Sequence, residues 1–191
     1  MELARKKEII LEHESDFATA VGSAVVEKPK ATPWIILMPF MFIFLIDDML
    51  KFKRDCRKFE NEFMSNRHQA MVVAFEATLS DSKPDIDWMV RKSNCMEALE
   101  KPYAAWIGAL VDHYMDLLLA VGDNFEALVR SAYRKRTNYL LILNRLNRVE
   151  KEFFEALKAC MKATAGASDV IAAVQNESKR LRRDFADQVF A

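Results

Sequence analysis

The sequence predicts an all-α protein, an antiparallel bundle of four to five helices. Three observations lead there. Glycine and proline number only four and five in 191 residues, too few turn formers for many short strands. Apolar residues recur at steps of three and four along most of the chain, the period of an amphipathic helix. No stretch alternates apolar and polar residues for long enough to make a strand, and no repeat at a fixed period indicates a solenoid. The organisation read from this pattern is a single helical domain over residues 1–191, with an apolar, membrane-associating segment at 31–50 inside it.

Taken in order, the elements justify that reading. Residues 2–27 form the first helix, because Leu3, Ile10, Phe17 and Ala24 recur every seven residues with Val21 on the same stripe. Pro29 ends it by disfavouring helical geometry in the residue before it. The second helix starts at Thr32-Pro33, a capping residue followed by a proline at a position that needs no backbone donor. It runs from about 32 to 79 and carries the apolar run Trp34–Ile46, then Met49, Phe52, Cys56, Phe59 and Phe63 as a heptad stripe of coiled-coil type. Unbroken, it would be about 70 Å long, so part of it projects or is kinked.

A loop at 80–84 precedes a third helix capped by Asp87 and divided by Pro102. Tyr103 to Val121 is rich in apolar residues, Gly122 is suited to end the helix, and Asp123 to cap the next. That fourth helix spans 124–162, with Phe125, Leu128, Tyr139, Leu143, Leu146 and Phe153 on one stripe. A break at 164–168 separates it from a last helix bearing Val170, Val174, Leu181, Phe185 and Val189.

Composition limits the function classes. A hydrophobic fraction of 51% with 29% charged residues is that of an ordered chain. Basic and acidic side chains balance at 28 each, which argues against nucleic acid as a partner. Cys56, Cys95 and Cys160 are odd in number and widely separated, so neither a zinc site nor a disulfide framework is indicated. They read as apolar fillers, reduced in a cytoplasmic compartment. The opening residues, MELARKKEIILEHESDF, lack the apolar stretch of a signal peptide.

Trp34–Ile46, WIILMPFMFIFLI, is apolar on every helical face. Its thirteen residues make a helix of about 20 Å, against roughly 30 Å for the hydrocarbon core of a bilayer. Pro39 removes the backbone bond to the carbonyl of Ile35 and bends the run. The segment is expected to enter one leaflet as a kinked or hairpin-like piece, or to cross where it thins the bilayer. Trp34, Ile35, Leu37, Met38, Pro39, Phe40, Phe42, Phe44 and Leu45 would then contact lipid. Lys51, Lys53, Arg54, Arg57 and Lys58 would meet the headgroups, each contributing about 1 kcal/mol beside anionic lipid. A central core helix and an oligomer interface are the competing readings of the same run.

Few residues suggest chemistry. Asp112-His113-Tyr114-Met115-Asp116 puts two carboxylates and an imidazole within one helical turn, a geometry open to a metal or a proton relay. The Glu-x-x-His pairs of di-metal bundles are absent, and the plainer reading is a polar stripe on an exposed face. Glu12-His13-Glu14-Ser15-Asp16 is similar and weaker, and His68 reads as exposed. Arg134-Lys135-Arg136 and Lys179-Arg180-Leu181-Arg182-Arg183 read as solvated basic clusters that could also touch headgroups or an acidic partner. No phosphate loop, nucleophile elbow or zinc-protease motif occurs, and no cofactor is expected. The expected function is a non-enzymatic scaffold or adaptor on the cytoplasmic side of a membrane, peripheral or monotopic, acting on lipid and on a protein partner or second copy. Two alternatives are a helical-bundle enzyme or carrier with a metal or cofactor near Asp112, His113 and Asp116, and a soluble cytoplasmic homo-oligomer with the apolar run buried.

Overall fold

The computed structural model describes residues 2–93, without 26–63, and residues 95–191, without 161–166. The segment Trp34–Ile46, the basic residues Lys51 to Lys58 that follow it, Cys56, and the stripe from Met49 to Phe63 lie outside the described residues. Seven helices account for nearly everything else. They are α1 (Leu3–Val25), α2 (64–80), α3 (Ile86–Ser93), α4 (Glu97–Leu119), α5 (Phe125–Tyr133), α6 (Arg136–Cys160) and α7 (Ala167–Val189). No strand occurs among the described residues, and the all-α bundle that the sequence predicts is the fold observed.

α4 is the central helix. Leu99, Tyr103, Trp106, Ile107, Leu110, Val111, Tyr114, Leu117 and Leu118 are all buried, a spacing of three and four that wraps more than one face. It needs several apolar faces because α1, α3, α5 and α6 all pack on it. Trp106 stacks on Phe153 of α6 at 5.1 Å between ring centroids. Lys6 of α1 donates to the carbonyl of Leu118 at 2.8 Å, so the start of α1 lies beside the end of α4. Arg145 meets Asp112 at 2.8 Å, while Tyr103 and Phe153 pack 5.7 Å apart, so α4 and α6 are antiparallel. α6 and α7 are antiparallel too, with Arg182 on Asn147 and Phe190 against Tyr139. His13 against Phe185 and Phe17 against Arg182 set α7 antiparallel to α1. The four long helices therefore close an up-down-up-down ring, with α2 entering beside α1, α4 and α6 through Arg67 and Asn66.

The helix count exceeds the expected four to five because two boundaries fall elsewhere than predicted. Pro102 does not divide a helix. It sits inside α4, near enough to the start that the chain tolerates the bond it cannot make to Ala98. The break comes earlier, before Glu97, where 95 and 96 are not helical. α3 is capped by Asp85, whose Oδ1 accepts from the Trp88 amide at 2.7 Å, not by Asp87. Similarly Asn124, not Asp123, caps α5 through Ala127 at 2.9 Å. The predicted helix over 124–162 is interrupted at Arg134, which adopts a φ of 60°. Asn138 Nδ2 donates to the carbonyl of Tyr133 at 3.0 Å across that break. On α1 the predicted stripe holds at Ile10 and Val21, both fully buried, but Ala24 is exposed.

Candidate functional site: a buried ionic cluster and its groove

Among the described residues, four charged side chains meet inside the bundle, one from each of four helices, and they alternate in sign. Glu14 of α1 accepts from Arg67 Nε of α2 at 2.8 Å. Arg67 Nη2 lies 3.5 Å from Glu150 of α6, and Arg182 of α7 reaches the same carboxylate at 2.6 Å. Arg67 is 1% exposed and Glu150 3%. Tyr114 Oη donates to the other oxygen of Glu14 at 2.8 Å, and Asn147 Oδ1 accepts from Arg182 at 2.5 Å. The Phe17 ring is within cation–π reach of both guanidinium groups, 5.7 Å from Arg67 and 5.3 Å from Arg182.

The sequence places these charges where they are. Each continues an apolar stripe: Ile10, Glu14, Phe17 and Val21 on α1, and Leu143, Leu146, Glu150 and Phe153 on α6. Arg67 precedes Ala70, Met71 and Ala74, and Arg182 precedes Phe185, Ala186 and Val189. A charged residue in register with core positions has to enter the core. The sequence signal for the cluster, missed by a reading of apolar periodicity alone, is a charged letter at the stripe's own spacing.

Burial opposes charge on Glu14, Arg67 and Glu150, but pairing outweighs it. Desolvation would raise the Glu14 carboxyl, yet Arg67, His13 and the Tyr114 hydroxyl together hold it below the usual carboxylate range. Desolvation likewise works against Glu150, and Arg182 and Arg67 hold it low. Both carboxylates are ionised at neutral pH. Burial raises the Tyr114 and Tyr139 hydroxyls, with the Glu14 charge adding to the effect, so both stay protonated.

A second polar group adjoins the first. His113 is buried, and its Nδ1 lies 2.6 Å from the Tyr133 hydroxyl, which is 3.5 Å from Asp116 Oδ2. Burial pushes His113 down to about 4, so its imidazole is neutral. Burial and the neighbouring Asp112 push Asp116 up. The exposed-face reading of this motif therefore holds for Asp112, which faces Arg145 in solvent, and fails for His113. The three proposed ligands do not converge: Asp112 points outward, His113 inward, and Asp116 meets His113 only through Tyr133. Among the described residues no three His, Cys, Asp or Glu side chains cluster as metal ligands do.

Of the weaker motif, His13 stacks on Phe125 with centroids 3.6 Å apart, and Glu14 becomes the end of the ionic chain. His68 is exposed as expected. The basic cluster 179–183 does not form one solvated face. Arg182 enters the core, while Arg180 pairs with Glu177 and with Asp184. Arg136 of the other cluster pairs with Asp187.

A cavity of about 30 Å³ touches Glu14, His113, Tyr139 and Arg182, the space of one water molecule. Outside it, a groove of about 250 Å³ between α1 and α7 shares His13, Phe17, Tyr139 and Arg182 with the cavity. At neutral pH the ionisable groups named around this space have fixed states: carboxylates charged and bound by arginine, tyrosines protonated, His113 neutral and bound by Tyr133. Such an arrangement cross-links helices. Comparison of the chain with protein-family models, with curated proteins and with solved structures gives no match.

Proposed function

We propose that the chain is a non-catalytic, membrane-associated helical scaffold or adaptor, held at the cytoplasmic face of a bilayer by Trp34–Ile46. The observation that carries this reading is the run itself, thirteen residues apolar on every helical face with basic residues on both sides. Among the described residues no helix is long and apolar enough to cross a membrane, and the run is not among them. Two features of the bundle support the reading. The described helices assemble a continuous core around α4 from their own residues, from Ile9 on α1 to Val189 on α7. Their buried carboxylates and arginines are engaged with one another, a structural use of groups that an enzyme would need free. The outer helix faces would then engage a protein partner or a second copy.

The test is fractionation of the full chain, with membranes washed first in high salt and then in alkaline carbonate. Retention through both washes is the expected result. A variant lacking residues 31–46 should move to the soluble fraction with its helical circular dichroism unchanged. Full recovery of the parent chain in the first supernatant, or unfolding of the deletion variant, would overturn the proposal.

A further inference from the structure

A large polar cavity lies on the outer surface of the bundle, between α6 and α7, with a volume of about 510 Å³. Its chemistry is uniform. Four carboxamides line it, from Asn144, Asn147, Gln175 and Asn176, together with three cations, Arg148, Lys151 and Lys179. The acidic side chain on its wall is Glu150, which Arg67 and Arg182 already neutralise from the inner side. The groove therefore carries a positive excess and a surplus of hydrogen-bond donors.

Two of those donors are set in place by the bundle. Asn147 Oδ1 is held by Arg182, which commits the carbonyl end of the amide and leaves its NH2 as the free end. Gln175 Nε2 is buried and has no hydrogen-bond acceptor among the described residues, an arrangement that costs stability in the unliganded protein. Arg148 pairs with Glu152 at 4.0 Å, with both side chains largely exposed, a contact weak enough to yield to a better anion. Among the described residues neither Lys151 nor Lys179 forms an ion pair.

We propose that this groove is a binding site for a phosphorylated polyol, with the lysines and Arg148 on phosphate oxygens and the amides on hydroxyls. Phosphate supplies the charge that three cations require. Hydroxyl groups, which both donate and accept, match the mixed capacity of carboxamides. The volume falls in the range of small-molecule sites. This chemistry occurs both in soluble sugar or inositol phosphates and in the headgroup of a phosphoinositide. The site is argued from the groove alone and does not depend on the membrane reading.

The experiment is calorimetric titration of the full chain with inositol trisphosphate, with unphosphorylated inositol and inorganic phosphate as references. Inositol trisphosphate should bind more tightly than either reference. Lys151→Ala with Lys179→Ala should weaken it at least about tenfold, the loss of a charge-assisted contact, at an unchanged melting temperature. Gln175→Met should narrow the preference for inositol trisphosphate over inorganic phosphate. Arg183→Ala with Lys135→Ala, a charge-matched change elsewhere on the surface, should leave binding intact. Flotation with phosphatidylcholine vesicles, with and without a phosphoinositide, then tells the source: a lysine-dependent gain with the phosphoinositide assigns the lipid headgroup, and its absence the soluble ligand. Equal affinity for inorganic phosphate would reduce the groove to an adventitious anion site, and no binding of inositol trisphosphate, or binding indifferent to both lysines, would likewise overturn the proposal.

Discussion

At the scale of a residue, Arg67 is the member on which the ionic chain depends. It joins Glu14 to Glu150 from a position that solvent does not reach. Replacing it with methionine keeps much of the volume but leaves Glu14 without its principal counter-charge, a loss of about 3–5 kcal/mol by analogy with other broken buried pairs. Glu14→Gln in the same chain removes the stranded charge while keeping an acceptor for Tyr114. The double variant should therefore be more stable than Arg67→Met alone, by more than about 1 kcal/mol of coupling. Chemical denaturation of the two single variants and the double one measures this. If the double variant is less stable than Arg67→Met alone, the electrostatic account of the cluster fails.

At the scale of an element, two glycines make opposite predictions. Gly122 lies in the tight connection between α4 and α5, where a Cβ would sit 2.7 Å from the Leu128 nitrogen and 2.8 Å from the Ala127 carbonyl carbon. Both are backbone atoms and cannot turn aside. Gly122→Ala should destabilise by about 1–3 kcal/mol, the usual cost of overpacking. Gly108 is in the interior of α4 with nothing within 4 Å of its added Cβ, so Gly108→Ala should stabilise by about 0.5–1 kcal/mol through helix propensity. Thermal melts of the two variants should move in opposite directions. The sequence pattern puts the helix end at Gly122, whereas α4 ends at Leu119 with Ala120 as its C-cap. The break at Arg134 was not legible, because no glycine, proline or strong capping residue marks the positive φ there. That break reflects tertiary packing: it turns the chain so that Tyr133 and Tyr139 both reach His113. The cap assignments erred by one or two residues for a simpler reason. Asp85 and Asp87 on one side, and Asp123 and Asn124 on the other, are equally good capping types, and only the observed hydrogen bond distinguishes them.

At the scale of the whole molecule, the buried groups predict how the bundle responds to acid. His113 is held at about 4 when folded against an ordinary 6.5, so below pH 6.5 the unfolded chain takes up a proton that the folded one refuses. Stability therefore falls as pH drops from 6.5 towards 4, by on the order of 3 kcal/mol from this group. His13 is lowered as well and acts in the same sense. Glu14 and Glu150 are depressed below 4.5. Their contribution is complete above that value and is lost below it, as the pH falls through their folded pKa values. Groups facing His113 from neighbouring elements temper the first phase: Glu14 favours the imidazolium, whereas Arg182 and His13 oppose it. Denaturation midpoints from neutral pH down to about pH 4 should decline, and His113→Gln should flatten most of that slope. A parent and variant that decline in parallel would refute the assignment to His113. Helix content and the antiparallel order were readable in the sequence because they rest on local periodicity. The ionic cluster was not, because it is made by residues drawn from most of the chain's length, from Glu14 to Arg182, that only tertiary packing brings together.

The cluster also bears on how the helices keep their alignment. An apolar stripe repeats every turn, so it can tell a helix which side to turn inward but cannot count turns. Slide α1 by one turn and Ile10 or Ala18 takes the place of Glu14; slide α6 and Leu146 or Phe154 replaces Glu150; slide α7 and Ser178 or Ala186 replaces Arg182. Each displaced bundle would still be greasy inside, yet it would bury a charge with nothing opposite. The four ionised side chains thus act as alignment marks, each legible only beside its opposite. Of all the ways to thread these helices past one another, a single one sets every plus against a minus.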